Sequence, residues 1–458
     1  PGAAGSPIAP GVVVNEVTTN TDPPFTDTIE LFNPSPDAID ISGWFLSDAA
    51  GTLDKFIVPA GTVIDAGQYK VFEEADFNAG LSNVDFALDG DRGDDVWLVE
   101  ADAAGRPVAF VDRAEFGAAP DSPDNPASLG RWPDGFGRFY PRVEVTPEGG
   151  NAPPRVGPLV VSKIMYNPPG IDDAKREFIE IYNTSESVLD LTGRKLRGDV
   201  DFDFPEGASI EPGEAAVVVA FLPGNAEDTA AFRAIYGVTG PLRFFGPWTG
   251  GSDNPQPQID NGGATVRLTR PGTPAVDPGD GGTFTPALSE DEVRFDDDAP
   301  WPADADGGGR FLERVILLGW GDTPDNWRAS GDDSVPGTVG SEPFRALLSL
   351  FFQPAELGLP EAAPGADANG NGLSNVVDIA IGNNPREGGG RLPAAALVEG
   401  AGDRFLSLSF PVPNDFPVAL GYVVEVSDDL STWVARHGAD TELVSTVDNG
   451  DGTSTVTV

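Results

Sequence analysis

The sequence predicts an all-β protein with an internally repeated domain, and two features of its 458 residues support this prediction. Glycine and proline are abundant, with 57 and 44 residues, and they separate short runs in which apolar and polar side chains alternate. Alternation of this kind is typical of half-buried strands, whereas frequent Gly and Pro interrupt helices. One such run occurs twice, which indicates two copies of the same β domain.

The repeated run is Thr28–Asp48, and its second copy is Phe178–Gly198. In each copy an alternating strand leads into a turn that begins at an asparagine, and a second short strand leads to a glycine. Three pairs of residues match at a constant spacing of 150: Glu30 with Glu180, Asn33 with Asn183, and Gly43 with Gly193.

The match continues on both sides of this centre. Val12–Val17 precedes the first copy as Leu159–Ile164 precedes the second, and Val58–Ile64 parallels Phe204–Ile210 downstream. The pattern resembles the lamin tail domain, which implies tandem immunoglobulin-like β-sandwiches over most of the chain. One departure is that Trp44 follows the glycine in the first copy, whereas Arg194 follows it in the second.

Composition changes and Pro/Gly-rich stretches divide the chain into six predicted segments. They are an extended arm at 1–10, a lamin-tail-like sandwich at 11–148, a linker at 149–156, a second sandwich with insertions at 157–340, a connector at 341–390 and a C-terminal β domain at 391–458. The second sandwich is expected to contain a helix from Asp228 to Tyr236 with Asp228 as its N-cap. A loop is expected at Ser128–Gly135, and the linker predicts that the sandwiches fold independently.

The C-terminal β domain is expected to be incomplete, because it offers about four or five strands where an immunoglobulin-like sandwich has about seven. Thr453–Val458 ends the chain in a β-favouring run without a closing turn. An open strand of this kind is a template for pairing with another chain. Head-to-tail self-association is therefore predicted, in which the terminal strand or the arm at 1–10 completes a sheet of the next copy; the alternative is that the missing strands lie beyond Val458.

The formal net charge of −45 argues against nucleic acid and anionic membranes as partners, because both would be repelled. No apolar run approaches the length of a membrane span, so no membrane insertion is expected. Only five of the 28 basic residues are lysines, which fits a salty or calcium-rich exterior; a surface kept soluble by charge is the alternative. The chain has no cysteines, which excludes disulfides and thiolate metal sites.

One motif carries metal chemistry. Asp367–Asp378 fits the spacing of a calcium-binding loop, with Gly372 at the sharp turn. The predicted ligands are the side chains of Asp367, Asn369, Asn371 and Asp378, the carbonyl of Leu373, and Asn375 directly or through water. The motif resembles the dockerin and thrombospondin-type calcium repeats of secreted bacterial proteins. Asparagines at two positions where those repeats carry aspartate imply weak Ca²⁺ binding, suited to extracellular calcium.

Two alternatives stay open for the acidic and asparagine-rich loops. The calcium motif could instead be an Asn/Gly turn that caps a short helix, Ser374–Ile381. The acidic run Asp296–Gly307 is interpreted first as a solvated loop and second as a further cation site.

No arrangement of residues indicates catalysis, and the sole histidine, His437, has no evident partners, so the protein is predicted not to be an enzyme. These features favour an extracellular or cell-surface structural or adhesive protein, such as a filament subunit assembled by β-strand addition. Its expected partners are other copies of itself, or surface glycans and proteins. The alternative is a non-catalytic binding or targeting region of a larger secreted hydrolase, which gene length would distinguish.

Overall fold

The computed structural model forms two compact units, Pro1–Val339 and Gly340–Val458, which are considered separately. The predicted arm at 1–10, His437 and much of the connector lie outside the described residues. The described residues are 11–21, 25–80, 85–120, 127–170, 175–185, 187–277, 281–332, 334–338, 351–352, 366–388, 393–400, 403–413, 425–426, 434–435, 445–449 and 453–457.

The first sandwich consists of a five-stranded sheet, a four-stranded sheet and a two-stranded ribbon. Its elements are β1 (Val13–Thr19), β2 (Thr28–Phe32), β3 (Ile39–Asp40), β4 (Phe45–Ser47), β5 (Phe56–Ile57), β6 (Val63–Ile64), β7 (Tyr69–Glu73), α1 (Glu74–Phe77), β8 (Asp94–Ala101), β9 (Pro107–Phe116), β10 (Ala127–Arg131) and β11 (Phe139–Pro141). The strand orders are β11-β10-β1-β2-β7, β5-β4-β8-β9 and β3-β6. Apolar side chains of the two larger sheets, such as Val14 and Leu31 with Leu46 and Leu98, form one buried core.

The second sandwich has the same plan with insertions. Its elements are β12 (Leu159–Met165), β13 (Phe178–Asn183), β14 (Leu189–Asp190), β15 (Lys195–Gly198), β16 (Val200–Asp203), β17 (Ser209–Ile210), β18 (Ala215–Val219), α2 (Ala226–Ile235), β19 (Arg243–Phe245), β20 (Thr249–Gly250), β21 (Gly263–Pro271), β22 (Ala275–Val276), β23 (Thr283–Phe284), β24 (Ala287–Asp296), β25 (Leu312–Arg314) and β26 (Trp327–Ala329). Short 3₁₀ turns lie at Ala303–Ala305 and Pro324–Asn326.

The second sandwich keeps the strand orders of the first and adds one strand at an edge of each of the two larger sheets. The larger sheet runs β19-β18-β13-β12-β25-β26, the smaller runs β20-β16-β15-β21-β24, and two ribbons are β14-β17 and β22-β23. Strand β19 pairs with β18 in parallel. Helix α2 belongs to an additional apolar cluster in which Phe232 packs edge-on against Phe178 of β13. The prediction of tandem all-β sandwiches is confirmed.

The asparagine at the centre of each repeat organises the turn after the strand. The Asn33 side-chain amide donates to the carbonyls of Asp37 (2.8 Å) and Ile64 (2.9 Å), and its oxygen accepts from the backbone and hydroxyl of Ser35. Asn183 makes the matching contacts in the second copy, to Ser187, Ile210 and Ser185. A short amide side chain thus holds a turn and a neighbouring strand together, as the sequence pattern indicates.

Both copies also share a β-bulge in the first strand. The pairing of β1 with β2 shifts between Val14 and Glu16, and that of β12 with β13 shifts between Val161 and Lys163. In the first sandwich Asp112 accepts from the Val14 amide (2.8 Å), and Arg131 donates to the Val14 carbonyl (2.8 Å) while pairing with Asp112 (2.9 Å). The second sandwich repeats these contacts with Val161, Asp291 and Arg314.

The residues that face each other beyond the bulge differ in charge between the copies. Glu16 lies opposite Glu30 in the first sandwich, and both carboxylates are buried. Burial and the nearby Glu16 charge raise the pKa of Glu30 to about 8. At the same place in the second sandwich Lys163 lies opposite Glu180, with 3.3 Å between ammonium and carboxylate. The first pair therefore depends on a proton, whereas the second is an ion pair.

Three details differ from the sequence predictions. The expected loop at Ser128–Gly135 begins as strand β10, which lies between β1 and β11. Helix α2 starts earlier than expected, because Asn225 rather than Asp228 is the N-cap and accepts from the amides of Glu227 and Asp228. The linker is packed against the first sandwich through Asn151, which is 7% exposed and donates to the carbonyls of Asn15 and Arg131.

The sandwiches also share an interface, although the sequence predicts only a linker between them. The Tyr140 hydroxyl donates to Asp322 (2.5 Å), and its ring lies 4.5 Å from that of Trp320. On the same side Arg92 pairs with Asp277 (2.5 Å). These contacts join the two sandwiches within the first compact unit, so independent folding remains a prediction that must be tested against this interface.

The second unit contains helix α3 (Asn375–Ala380) and six strands within its described residues. The strands are β27 (Ala394–Gly400), β28 (Asp403–Pro413), β29 (Glu425–Val426), β30 (Val434–Ala435), β31 (Ser445–Asp448) and β32 (Thr453–Thr457). They form a sheet of order β27-β28-β32-β31 and a β29-β30 pair. The last strand is therefore not the open edge predicted for Thr453–Val458, because β32 pairs with β28 on one side and β31 on the other.

Candidate metal centre

The first half of the predicted calcium loop is a turn held by its own side chains. Both Asp367 oxygens accept backbone amides, from Asn371 (3.1 Å) and Gly372 (2.9 Å). The Asn369 oxygen accepts the same Asn371 amide (3.0 Å). Gly372 has φ +90°, a conformation that favours glycine and allows the chain to reverse here. The turn therefore places the side chains at the first, third and fifth loop positions on a common side.

Helix α3 returns the chain to this turn. Ser374 is its N-cap residue, and one turn later Asp378 points its carboxylate, 1% exposed, at the loop. The amide of Asn369 donates to one oxygen of Asp378 (2.8 Å), and the amide of Asn371 donates to the other (2.9 Å). Asn369, Asn371 and Asp378, at the third, fifth and twelfth positions of the loop, therefore meet at one point.

The other predicted ligands have different surroundings. The side chain of Asn375 is fully buried, and its oxygen accepts from the Ala368 amide (3.1 Å), which fixes the entry to the loop. The backbone amide of Leu373 donates to the Asn371 oxygen (2.8 Å). The roles of the Leu373 carbonyl and the Asn375 side chain as ligands stay predictions.

Sequence reasoning missed one member of this centre. The side-chain amide of Asn383 donates to Asp378 (3.1 Å), and its backbone amide donates to the Asp378 carbonyl (2.7 Å). Asn383 comes directly after Gly382, where the helix ends and φ is +73°. The signal in the sequence was thus a second asparagine placed just beyond the helix stop, outside the twelve-residue pattern.

A Ca²⁺ ion at this place would require the asparagine side-chain oxygens to turn toward Asp378. The Asp378 carboxylate receives only amide N–H groups here, from Asn369, Asn371 and Asn383. Rotation of an asparagine amide by half a turn exchanges its nitrogen and oxygen at nearly constant shape. Two amide oxygens would then face a carboxylate, an arrangement that repels unless a cation lies between them, and the backbone amides of Asn371 and Leu373 would lose the acceptors they have here. Oxygen ligands of this kind are those that Ca²⁺ prefers.

The acidic run at Asp296–Gly307 begins with three adjacent aspartates whose carboxylate oxygens lie within 4.8 Å of one another. Asp296 and Asp298 are exposed. Partial desolvation and a contact with Asp296 raise the pKa of Asp297. The exposure fits the interpretation as a solvated loop, and the alternative of a second cation site stays a prediction.

The paired sheets with a repeated strand order define a tandem immunoglobulin-like β-sandwich protein. The sequence matches the Lamin Tail Domain family at residues 6–115 and 152–278, just over half of the chain. The chain therefore belongs to the Lamin Tail Domain family, a non-catalytic immunoglobulin-like domain family, and the resemblance drawn from the repeated run is confirmed. The resemblance of Asp367–Asp378 to calcium repeats stays a prediction.

Comparison with solved structures finds similarity to a DUF4876 family protein from Bacteroides thetaiotaomicron. It covers 72% of this chain and 96% of that chain, at 13% identity and a TM-score of 0.26. Curated protein sequences give no significant match. None of the helices in the described part of the chain is long and apolar enough to span a bilayer.

Proposed function

We propose that this protein is an extracellular structural or adhesive protein in which a Ca²⁺ ion orders the loop that precedes the C-terminal β domain. The observation that carries the proposal is the convergence of Asn369 and Asn371 on the buried carboxylate of Asp378. Asp367 would complete the set of side chains that hold the ion. With two carboxylates and two amides, the site would bind in the range of extracellular modules, with a Kd of about 0.1–1 mM.

The high negative charge supports this location. A net charge of −45 destabilises a compact chain by self-repulsion, and the salt and divalent ions of an exterior environment reduce that repulsion. The absence of cysteine is compatible with secretion, because the two buried cores and an ion supply stability that disulfides provide in many secreted domains.

Calorimetry on the full chain tests the metal site. Titration with CaCl₂ should show one site that disappears in Asp378→Asn, because the buried carboxylate is the central ligand. The matched control is Glu387→Gln, which removes the same charge from an exposed side chain beside the loop and should leave the site unchanged. Equal Ca²⁺ binding by Asp378→Asn and the wild type would contradict the proposal.

Hydrogen exchange tests the structural consequence. Peptides within 366–388 should exchange more slowly in millimolar Ca²⁺ than in chelator, and this difference should vanish in Asp378→Asn. Ca²⁺ uptake without any change in exchange would remove the ordering role while leaving the binding site in place.

Head-to-tail assembly remains part of the proposal in a modified form. Since β32 is paired on both sides, strand addition would use an edge strand of its sheet, and β31 is one such edge in the described residues. Val447 on β31 is 56% exposed. Val447→Lys should prevent addition, because a charged edge blocks pairing with another strand. Sedimentation and electron microscopy should show oligomers for the wild type and monomers for the variant; wild-type monomers at high concentration with Ca²⁺ would rule this out.

A further inference from the structure

A cavity lies between the two sandwiches, inside the first compact unit. Its volume is about 660 Å³, and residues of both sandwiches line it. The apolar part of its wall includes Phe139 and Tyr140 of β11. Ligand pockets of small molecules are commonly about 300–1,000 Å³, so this cavity has room for one or two sugar rings or a molecule of similar size.

Guanidinium groups outnumber carboxylates in the lining of this cavity, although Asp277, Asp95 and Asp112 just outside it pair with three of them. Across the whole chain 73 acidic residues outnumber 28 basic residues. The lining of the cavity contains two carboxylates, Glu115 and Glu292, but five guanidinium groups. These are Arg92, Arg113, Arg131, Arg138 and Arg267. So many arginines at one place in so acidic a protein indicate an anionic ligand, because the planar guanidinium fork matches the oxygens of carboxylate and sulfate groups.

Arginines in the cavity differ in how firmly they are held. Arg131 is committed to the clamp with Asp112 and the Val14 carbonyl, and Arg113 forms a two-pronged pair with Asp95 at 2.9 Å.

Two other arginines are available to a ligand. Arg267 has only long contacts, 3.4 Å to Asp253 and 3.6 Å to Glu292. Arg138 is exposed and, within the described part of the chain, holds no carboxylate in a close ion pair, although its charge acts on Glu292 of the cavity wall. Arg138 comes from the first sandwich and Arg267 from the second, so a ligand that binds both would bridge the two domains.

We infer that this cavity binds an acidic oligosaccharide, with a carboxylate or sulfate group held between Arg138 and Arg267. The remaining lining suits a sugar better than a compact inorganic anion. Ser289 and Thr269 carry hydroxyl groups for hydrogen bonds. This inference names the ligand class of the adhesive role proposed above, and it rests on that proposal only for its biological setting.

The net negative charge does not prevent such binding. At physiological ionic strength electrostatic fields are screened within about 8 Å, so an anion inside the cavity interacts mainly with the groups that line it. A long polyanion would still meet the acidic surface outside the cavity. The ligand is therefore a short acidic saccharide or the end of a chain.

Calorimetry with defined trisaccharides on the full chain tests the inference. Trigalacturonate supplies carboxylates, a sulfated trisaccharide supplies sulfates, and maltotriose supplies neither. At least one acidic trisaccharide should bind, maltotriose should not, and Arg138→Gln should weaken binding about tenfold, as expected for the loss of one charge-assisted contact. Arg106→Gln is the matched control, since this exposed arginine pairs with Asp102 away from the cavity, and it should bind like the wild type.

The outcomes of this titration test saccharide binding independently of Ca²⁺ binding. The acidic trisaccharide that binds distinguishes carboxylate from sulfate recognition. Failure of both to bind at about 10 mM would overturn the inference, as would unchanged affinity in Arg138→Gln or equal binding of an oligoglutamate peptide. Asp378→Asn should retain saccharide binding, and Arg138→Gln should retain Ca²⁺ binding, so loss of one activity does not remove the other.

Discussion

Replacement of Glu30 by glutamine should stabilise the first sandwich near neutral pH. The folded protein raises the pKa of Glu30 from 4.5 to about 8, because its carboxyl is buried and lies near the Glu16 charge. A raised pKa means that the folded state keeps a proton that the unfolded chain releases. The stability associated with this proton is fully present below pH 4.5 and is lost as the pH rises through 8.

The magnitude follows from the two pKa values. At pH 7 the folded chain must keep Glu30 protonated although the unfolded group ionises at 4.5, which costs about 3 kcal/mol at 1.36 kcal/mol per pH unit. Glutamine resembles the protonated carboxyl, since each has one acceptor oxygen and can donate from the other position. The Glu148 amide, 2.6 Å from the Glu30 carboxyl, keeps an acceptor, whereas the Asn15 amide, 3.2 Å from the other oxygen, loses one, so the expected gain in stability is an upper value. Glu30→Gln should therefore recover up to about 3 kcal/mol at pH 7 and only about 0.8 kcal/mol at pH 5.

Hydrogen exchange of the full chain, measured for peptides from β1 and β2, reports this local stability. Protection at pH 7 should rise by up to about 100-fold in Glu30→Gln, and the difference should shrink to about fourfold at pH 5. The matched control is Glu180→Gln in the second sandwich, where removal of the carboxylate deprives buried Lys163 of its 3.3 Å partner and should lower protection of β12 and β13. Lower protection of β1 and β2 in Glu30→Gln at pH 7, or an effect independent of pH, would refute the reasoning.

Two further substitutions test other features of the sandwiches by denaturant unfolding. Arg314→Ala should cost about 3–5 kcal/mol because it leaves Asp291 buried without its cation, whereas Arg131→Ala should cost less because the Asp112 pair is partly exposed; equal losses would contradict this. Gly198→Ala should cost about 3 kcal/mol, since φ is +126° and the added carbon would lie 2.1 Å from the Thr265 carbonyl oxygen. Gly207→Ala, at φ +74° with open space around it, should cost only about 1 kcal/mol, and a similar cost at both positions would exclude the steric explanation.

The sequence was sufficient to predict the tandem sandwiches because its strongest signals are local. The strand, the asparagine turn and the positive-φ glycine at Gly43 and Gly193 depend on neighbours a few residues away, and all are present in both copies. The convergence in the predicted calcium loop was also predictable from local sequence, because Asn369, Asn371 and Asp378 lie within twelve residues of one another.

Contacts between distant parts of the chain could not be predicted in this way. Asp112 and Asp291 each bind a strand about one hundred residues or more earlier, and no local pattern marks them among 73 acidic residues. Arg194, which stands where the first copy has Trp44, has a similar explanation. Its guanidinium pairs at 2.8 Å with buried Glu290, 96 residues away. The end of the chain was misjudged because the absence of a closing turn says nothing about pairing, and β32 lies between two strands that precede it.

The two copies keep one backbone but balance their buried charges differently. In the second sandwich Glu180 and Glu313 face two cations, Lys163 between them and Arg328 at 2.9 Å from Glu313. The corresponding region of the first sandwich holds Glu16 and Glu30.

Arg142 is the cation that acts on Glu16 there, and burial lowers its own pKa to about 10. Asp134 adds a further negative charge near Glu30, so this region is short of positive charge and a proton on Glu30 makes up the difference. The shared bulge and strand pairing bury this position in both copies whichever residues occupy it. The repeat therefore preserves the location of a buried charge while leaving its neutralisation, by an ion pair or by a proton, free to diverge.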